Sequence, residues 1–205
     1  MVVAMSSPAR AAWADNGPDQ RVFLHNVSWD QYQSLLGLRG EAPAPRMTFL
    51  EGELELMSPS RDHEIIKKMI ARLLEAYALA EGVDLNGYGS MTMKSRPRAR
   101  GAEPDECYSV GAPKPRPDIA IEVVWTHGGL DKLEVYRGLR VREVWLHRAG
   151  KLDVHALRRN AYIRIPRSEI LPKLDLTQLL RYASASNQTD AVRRYLRALR
   201  RRRTK

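Results

Sequence analysis

The sequence predicts an α/β domain in which a mixed β-sheet is flanked by α-helices. Three observations lead there. Ile119-Ala-Ile-Glu-Val-Val124 is a near-continuous apolar run of strand length, the pattern of a strand covered on both faces. Residues 62–80 carry Ile65, Ile66, Met69, Ile70, Leu73, Leu74 and Tyr77 at helical spacing, one broad apolar stripe that has to be covered. Met47 to Met57 reads as a hairpin turning at Glu51-Gly52. Helices interleaved with strands, rather than grouped apart from them, place these elements in one α/β fold.

Residues 1–22 are expected to be a flexible tail: they contain Arg10 and Asp15 and never build a long apolar stretch, so they make a poor signal peptide. The main domain is expected over 23–183. Ser28-Trp-Asp-Gln-Tyr-Gln-Ser-Leu-Leu36 predicts a short helix with Ser28 as N-cap. A Gly/Pro-rich connector, 37–45, leads into the hairpin. In its second strand Glu53 and Glu55 share one face, and Leu54 and Leu56 the other, because side chains alternate. The long helix follows, with His63 on the edge of its apolar stripe. Residues 85–94 and 105–110 read as strands on either side of a basic loop, 95–101, which contains Arg96, Arg98 and Arg100. After the apolar strand a helix is predicted over 130–139, then strands over 141–147, 152–157 and 162–165. Residues 169–180 read as a strap running into a short helix, and 190–203 are compatible with a basic C-terminal helix or tail within 184–205. Nothing repeats at a fixed period, which excludes a solenoid or propeller.

Composition narrows the function classes. The hydrophobic fraction is 43% and the charged fraction 28%, values of a globular protein. No apolar run approaches the roughly 18 residues of a membrane span, so no membrane partner is expected. The single cysteine, Cys107, excludes an intramolecular disulfide and fits a reducing compartment, with the cytoplasm expected. The net charge of +10 is unevenly placed: residues 190–205 hold eight basic residues and one acid, so the rest of the chain carries only +3. Arg200, Arg201, Arg202 and Arg203 in that segment suit a phosphate backbone, as a solvated tail would also explain them. Arg96, Arg98 and Arg100 carry the same pair of readings. Zinc spacing, a GxSxG elbow, a Walker loop and a dinucleotide fingerprint are all missing.

The chemistry lies in the acids. Asp105 follows Pro104 at the start of a strand, and Glu122 sits inside the apolar strand, where an unpartnered carboxylate is costly. Alternation puts Asp118, Ala120 and Glu122 on one face. If the two strands are neighbours, Asp105 and Glu122 can share a divalent cation, because magnesium binds through few carboxylates, several waters and the substrate's phosphate oxygens. The competing reading pairs Glu122 with a buried cation and leaves Asp105 capping a turn. Lys132 bears on that choice. On a helical wheel it falls within the arc of Val135, Leu139, Tyr136 and Leu133, and an inward lysine either snorkels out or meets a carboxylate.

Glu51-Gly-Glu-Leu-Glu-Leu-Met-Ser-Pro59, His63, Pro104-Asp105, Pro117-Asp-Ile-Ala-Ile-Glu-Val-Val124, Asp131-Lys132, Tyr136 and Val141-Arg-Glu-Val-Trp-Leu146 occur in an order and at spacings similar to the Uma2 family of restriction-endonuclease-like proteins, in the PD-(D/E)xK nuclease superfamily. The resemblance spans about residues 28–180. It implies a restriction-endonuclease-like core and a Mg²⁺-dependent (or Mn²⁺-dependent) endonuclease acting on nucleic acid, expected to be DNA, with a homodimer expected. It further implies Asp105, Glu122 and Glu53 as metal-holding acids, Lys132 as the catalytic lysine, and His63 and Asp118 as auxiliary residues. The pattern departs from the superfamily at position 124, where valine stands in place of the lysine, and Lys132 on the following helix takes that part. An alternative is a non-catalytic nucleic-acid-binding protein that retains the fold.

Overall fold

The computed structural model describes residues 17–124 and 129–203, with the side chain of Arg203 excluded. Among the described residues there are two sheets and five α-helices. Residues 1–16 of the expected tail lie outside the described residues. The remainder of that tail is not a tail: Gln20–Leu24 form β1 and pair antiparallel with β3, Gln20 opposite Ser58. Helix α1 (Trp29–Arg39) is opened by Ser28, whose hydroxyl accepts from the Gln31 amide while the Gln31 side chain accepts from the Ser28 amide. That reciprocal cap satisfies two donors that the first turn would leave open.

Strands β2 (Arg46–Leu50) and β3 (Glu53–Ser58) form the hairpin. Its two-residue turn takes positive φ at both positions, 49° at Glu51 and 96° at Gly52, the handedness that matches the twist of the flanking strands. The expected strand over 85–94 is in fact split between two sheets. Its first part is β4 (Leu85–Gly87) and its last is β5 (Met93–Ser95). The basic loop is likewise ordered, as a single 3-10 turn over Arg96–Arg98 and strand β6 (Arg100–Ala102). The first sheet therefore runs β1-β3-β2-β6-β5, all antiparallel. Tyr32 of α1 stacks on Phe49 of β2 with ring centroids 4.9 Å apart, closing a small core on this sheet.

The second sheet is the mixed one. It runs β11-β10-β9-β8-β7-β4, from β7 (Glu106–Val110), β8 (Ile119–Val123), β9 (Glu143–Arg148), β10 (Lys151–Arg158) and β11 (Ala161–Ile165). Only β8 and β9 are parallel, and α3 (Lys132–Leu139) makes the crossover between them. Alternation along β8 divides two cores. Ile119, Ile121 and Val123 face the long helix α2 (Arg61–Glu81), and Ala120 packs in the core shared with α3.

α2 is joined on the same layer by α4 (Leu176–Ala183) and α5 (Gln188–Arg203). The C-terminal segment is thus docked rather than loose: Ala191, Tyr195 and Leu199, one per turn, are buried against the α2 core. Its arginines line the outward side, where Arg194 pairs with Asp190 at 2.9 Å and Arg202 lies 3.8 Å from Asp175. Among the described residues no helix is long and apolar enough to cross a membrane.

Candidate active site

β8 carries Glu122 on the face turned toward α3. The carboxylate is 3% exposed, so it must be compensated. Two residues one turn apart on α3 do this. Lys132 Nζ stands 3.4 Å from Oε2, and the Tyr136 hydroxyl donates to Oε1 at 2.5 Å. Asp131 fixes the helix start: its carboxylate accepts from the Leu133 and Glu134 amides, which sets Lys132 as the first helical residue and aims it inward. Lys132 also donates to Thr48 Oγ1 of β2 at 2.9 Å, so the ammonium bridges the two sheets. Burial, and then the negative charge and hydrogen bond of Glu122, push the Tyr136 hydroxyl well above the usual phenol range, keeping it a donor.

Asp105 lies at the bend before β7. The pairing of Glu106 with Ile121, continued by one residue, sets it opposite Glu122. Its carboxylate is 1% exposed and fully engaged. Oδ2 accepts from the Val123 amide at 2.6 Å, and Oδ1 receives His63 Nε2 at 2.8 Å and an ion pair from Arg46 at the start of β2. His63 is itself inaccessible, and its Nδ1 lies 3.0 Å from Asp19 Oδ2. Burial raises the Asp19 carboxyl, but hydrogen bonds from His63 and the Ser60 amide outweigh it and bring the pKa down to about 2.

A cavity of about 680 Å³ opens between the two sheets beside Glu122 and Lys132. Arg21 and Glu55 from the first sheet, and Arg148, Asp153 and His155 from the second, line its other walls. Glu55 is 1% exposed, and its Oε2 accepts from the Leu130 amide at 3.0 Å, anchoring the approach to α3. A Cβ at Gly129 would come within 2.6 Å of Arg21 Nη1 and 2.9 Å of Glu55 Oε2, so the ends of those two side chains would have to shift.

The structure therefore brings Glu122 and Lys132 together, with Asp105 as the next residue in register, and leaves other expected residues elsewhere. Glu53 is apart from the cavity, pairing at 2.5 Å with His25 on the surface. The inward acid of that strand is Glu55, two residues on along the same face. Asp118 is held by Lys114 (2.5 Å), Arg142 (3.2 Å) and the Val110 amide (2.9 Å), and does not line the cavity. Those contacts draw its carboxyl down against the raising effect of burial. Arg100 is not available to a phosphate either: it is buried, donating to the Glu134 carbonyl and to Glu51. Arg96 and Arg98 remain exposed, Arg96 beside Asp30 at 3.2 Å and Arg98 donating to the Gly138 carbonyl. Sequence reasoning missed Asp19, Arg21, Arg46, Thr48 and Glu55.

Among the described residues no three His, Cys, Asp or Glu side chains form a ready-made metal cage. Glu122 offers carboxylate oxygens at the cavity wall, a donor type that suits a hard cation keeping most of its waters, whereas Asp105 is held by the Val123 amide, His63 and Arg46.

An α/β protein with a parallel β8-α3-β9 crossover beside a buried carboxylate-lysine pair is the class that this geometry defines. Comparison with known proteins gives its family: residues 29–186 match the family model Uma2, described as "Putative restriction endonuclease", and the chain belongs to that family. A solved structure described as a "putative nuclease belonging to DUF820 from Anabaena variabilis ATCC 29413" has a similar fold. It superposes with a TM-score of 0.52 at 14% identity, covering 75% of this chain and 97% of that one. No curated protein matches the chain significantly.

Proposed function

We propose that this protein is a metal-dependent endonuclease that hydrolyses phosphodiester bonds in DNA. The observation that carries the reading is the buried Glu122–Lys132 pair, 3.4 Å apart, at the wall of a cavity large enough to admit part of a nucleic acid strand. An ammonium turned toward the cavity can stabilise negative charge growing on phosphoryl oxygens, and a carboxylate there can hold a hard cation.

In this reading Glu122 and Asp105 would hold Mg²⁺ or Mn²⁺, Asp105 exchanging its ion pair with Arg46 for the cation, and Glu55 would supply the acid from the first sheet in place of Glu53. A divalent cation bound there supplies Lewis acidity toward the phosphodiester and a bound water of lowered pKa. Lys132 hydrogen-bonds the attacking water and, as charge grows on the phosphoryl oxygens, stabilises it. The water oxygen bonds to phosphorus as the bond to the leaving sugar oxygen breaks, and the water proton ends on that leaving oxygen. Tyr136 keeps Glu122 turned toward the cavity, and Thr48 keeps Lys132 from folding onto its own helix.

The test is nicking of supercoiled plasmid with Mg²⁺ or Mn²⁺ by the wild type, Glu122→Ala and Lys132→Ala. Nicking by wild type, abolished by Glu122→Ala and cut on the order of 10²–10³-fold by Lys132→Ala, is the expected result. Nicking that survives Glu122→Ala overturns the assignment. The tight engagement of Asp105 by His63 and Arg46 favours a second reading, a binding protein without turnover. Its signature is no nicking with either metal together with a salt-sensitive shift of DNA in a gel.

A further inference from the structure

We infer that Asp19, on the segment leading into β1 and outside the residues matched by the family model, is a positioning residue of the site and acts through His63. This inference rests on the metal-dependent reading above. The structure assigns a continuous buried chain: Asp19 Oδ2 to His63 Nδ1 at 3.0 Å, His63 Nε2 to Asp105 Oδ1 at 2.8 Å, and Asp105 Oδ2 to the Val123 amide at 2.6 Å. The three side chains are 0%, 0% and 1% exposed, so neither carboxylate can turn to water for a substitute partner. Asp19 Oδ1 meanwhile accepts from the Ser60 amide at 2.8 Å, at the N-cap of α2. One carboxylate thus fixes both the first turn of α2 and the plane of the imidazole that the turn carries.

An imidazole with one ring nitrogen held can present the other in a single direction. Here that direction is Asp105, the neighbour of Glu122. The first sheet pins Asp19 in place: Gln20 pairs with Ser58, and Arg21 lies 3.8 Å from the Asp19 carboxylate while reaching the cavity wall. The arrangement parallels the outer partners of metal ligands, whose loss typically weakens metal binding by about 10- to 100-fold.

The test is calorimetric titration of Mn²⁺ into the full chain, for wild type, Asp19→Asn, His63→Gln, the double variant and Glu122→Ala. It is run well below every variant's melting temperature, which is measured alongside. Asp19→Asn is expected to weaken Mn²⁺ binding about tenfold, and the double variant to bind no more weakly than His63→Gln alone. Unchanged affinity in Asp19→Asn, with only a lower melting temperature, overturns the inference and makes Asp19 a staple for β1. So do losses that simply add in the double variant. Binding by wild type that Glu122→Ala removes but Asp19→Asn does not would sink this inference alone. No Mn²⁺ binding by wild type would sink the metal-dependent reading and this inference with it.

Discussion

Two carboxylates sit four residues apart on β8's approach and interior, and each has a lysine. Asp118 meets Lys114 and Arg142 at the start of the strand, where the lysine side chain is 40% and the arginine 66% exposed. Glu122 meets Lys132, whose side chain is 12% exposed, with a tyrosine hydroxyl and a cavity beside it. The sequence pattern scarcely separates them. The difference is in what the rest of the fold brings up: Asp118 meets Lys114 of the β7–β8 connection and satisfies the backbone amide at the end of β7, whereas Glu122 faces the first sheet across a gap. An acid is made functional by the space next to it as much as by its charge.

The sharpest way to break this comparison is to neutralise each acid in turn. Glu122→Gln is expected to cut nicking on the order of 10³-fold, the scale of losing a charge contact in the transition state. Asp118→Asn should leave nicking unchanged and lower unfolding stability by about 1 kcal/mol in a denaturant titration. Equal effects on nicking would remove the distinction. Next in size is the gap itself. Gly129→Ala forces Arg21 and Glu55 apart, and a cost of about 10²-fold in rate is expected for so small a displacement, with little change in melting temperature.

A third prediction concerns acid. Asp19 has its carboxyl lowered from 3.8 to about 2, so its stabilisation is complete above the unfolded value and fades as pH falls from about 4 toward 2. That is about 2 kcal/mol. Unfolding titrations of wild type and Asp19→Asn are therefore expected to differ by this amount at pH 6 and to converge near pH 2. A constant difference across that range would show that the carboxylate's charge is not what matters. The smallest effects extend the comparison to β3. Glu55→Gln should cost about 1 kcal/mol and impair nicking, while Glu53→Gln, on the solvent side with His25, should fall within about 0.5 kcal/mol of wild type and nick normally.

Much of this was legible in the chain. The apolar stripe of α2 and the continuous run of β8 follow from periodicity, and the inward aim of Lys132 follows from a helical wheel. The misses have physical causes. On β1 and the residue before it the usual rule is inverted: Val22, Phe23 and Leu24 are exposed while Asp19 is buried, so a hydrophobic pattern there points away from the truth. Glu53 and Glu55 share a face, but which of them enters a cavity depends on a partner sheet and its twist, and neither is written in the strand. Residues 85–94 looked like one strand because a change of sheet leaves no signal in composition. Arg100 looked like a surface base because its acceptors, the Glu134 carbonyl and Glu51, come from distant segments.

Parity along β8 has one more consequence, for how this protein can change over generations. Odd-numbered positions pack in the α2 core, and the even-numbered Ala120 and Glu122 face the α3 side. Deleting or inserting one residue within the strand would exchange Glu122 for an isoleucine or valine and drive a carboxylate among Met69, Leu73 and Trp145. Fold and chemistry would fail in the same event. β8 itself is a reading frame, and only substitutions can pass through it.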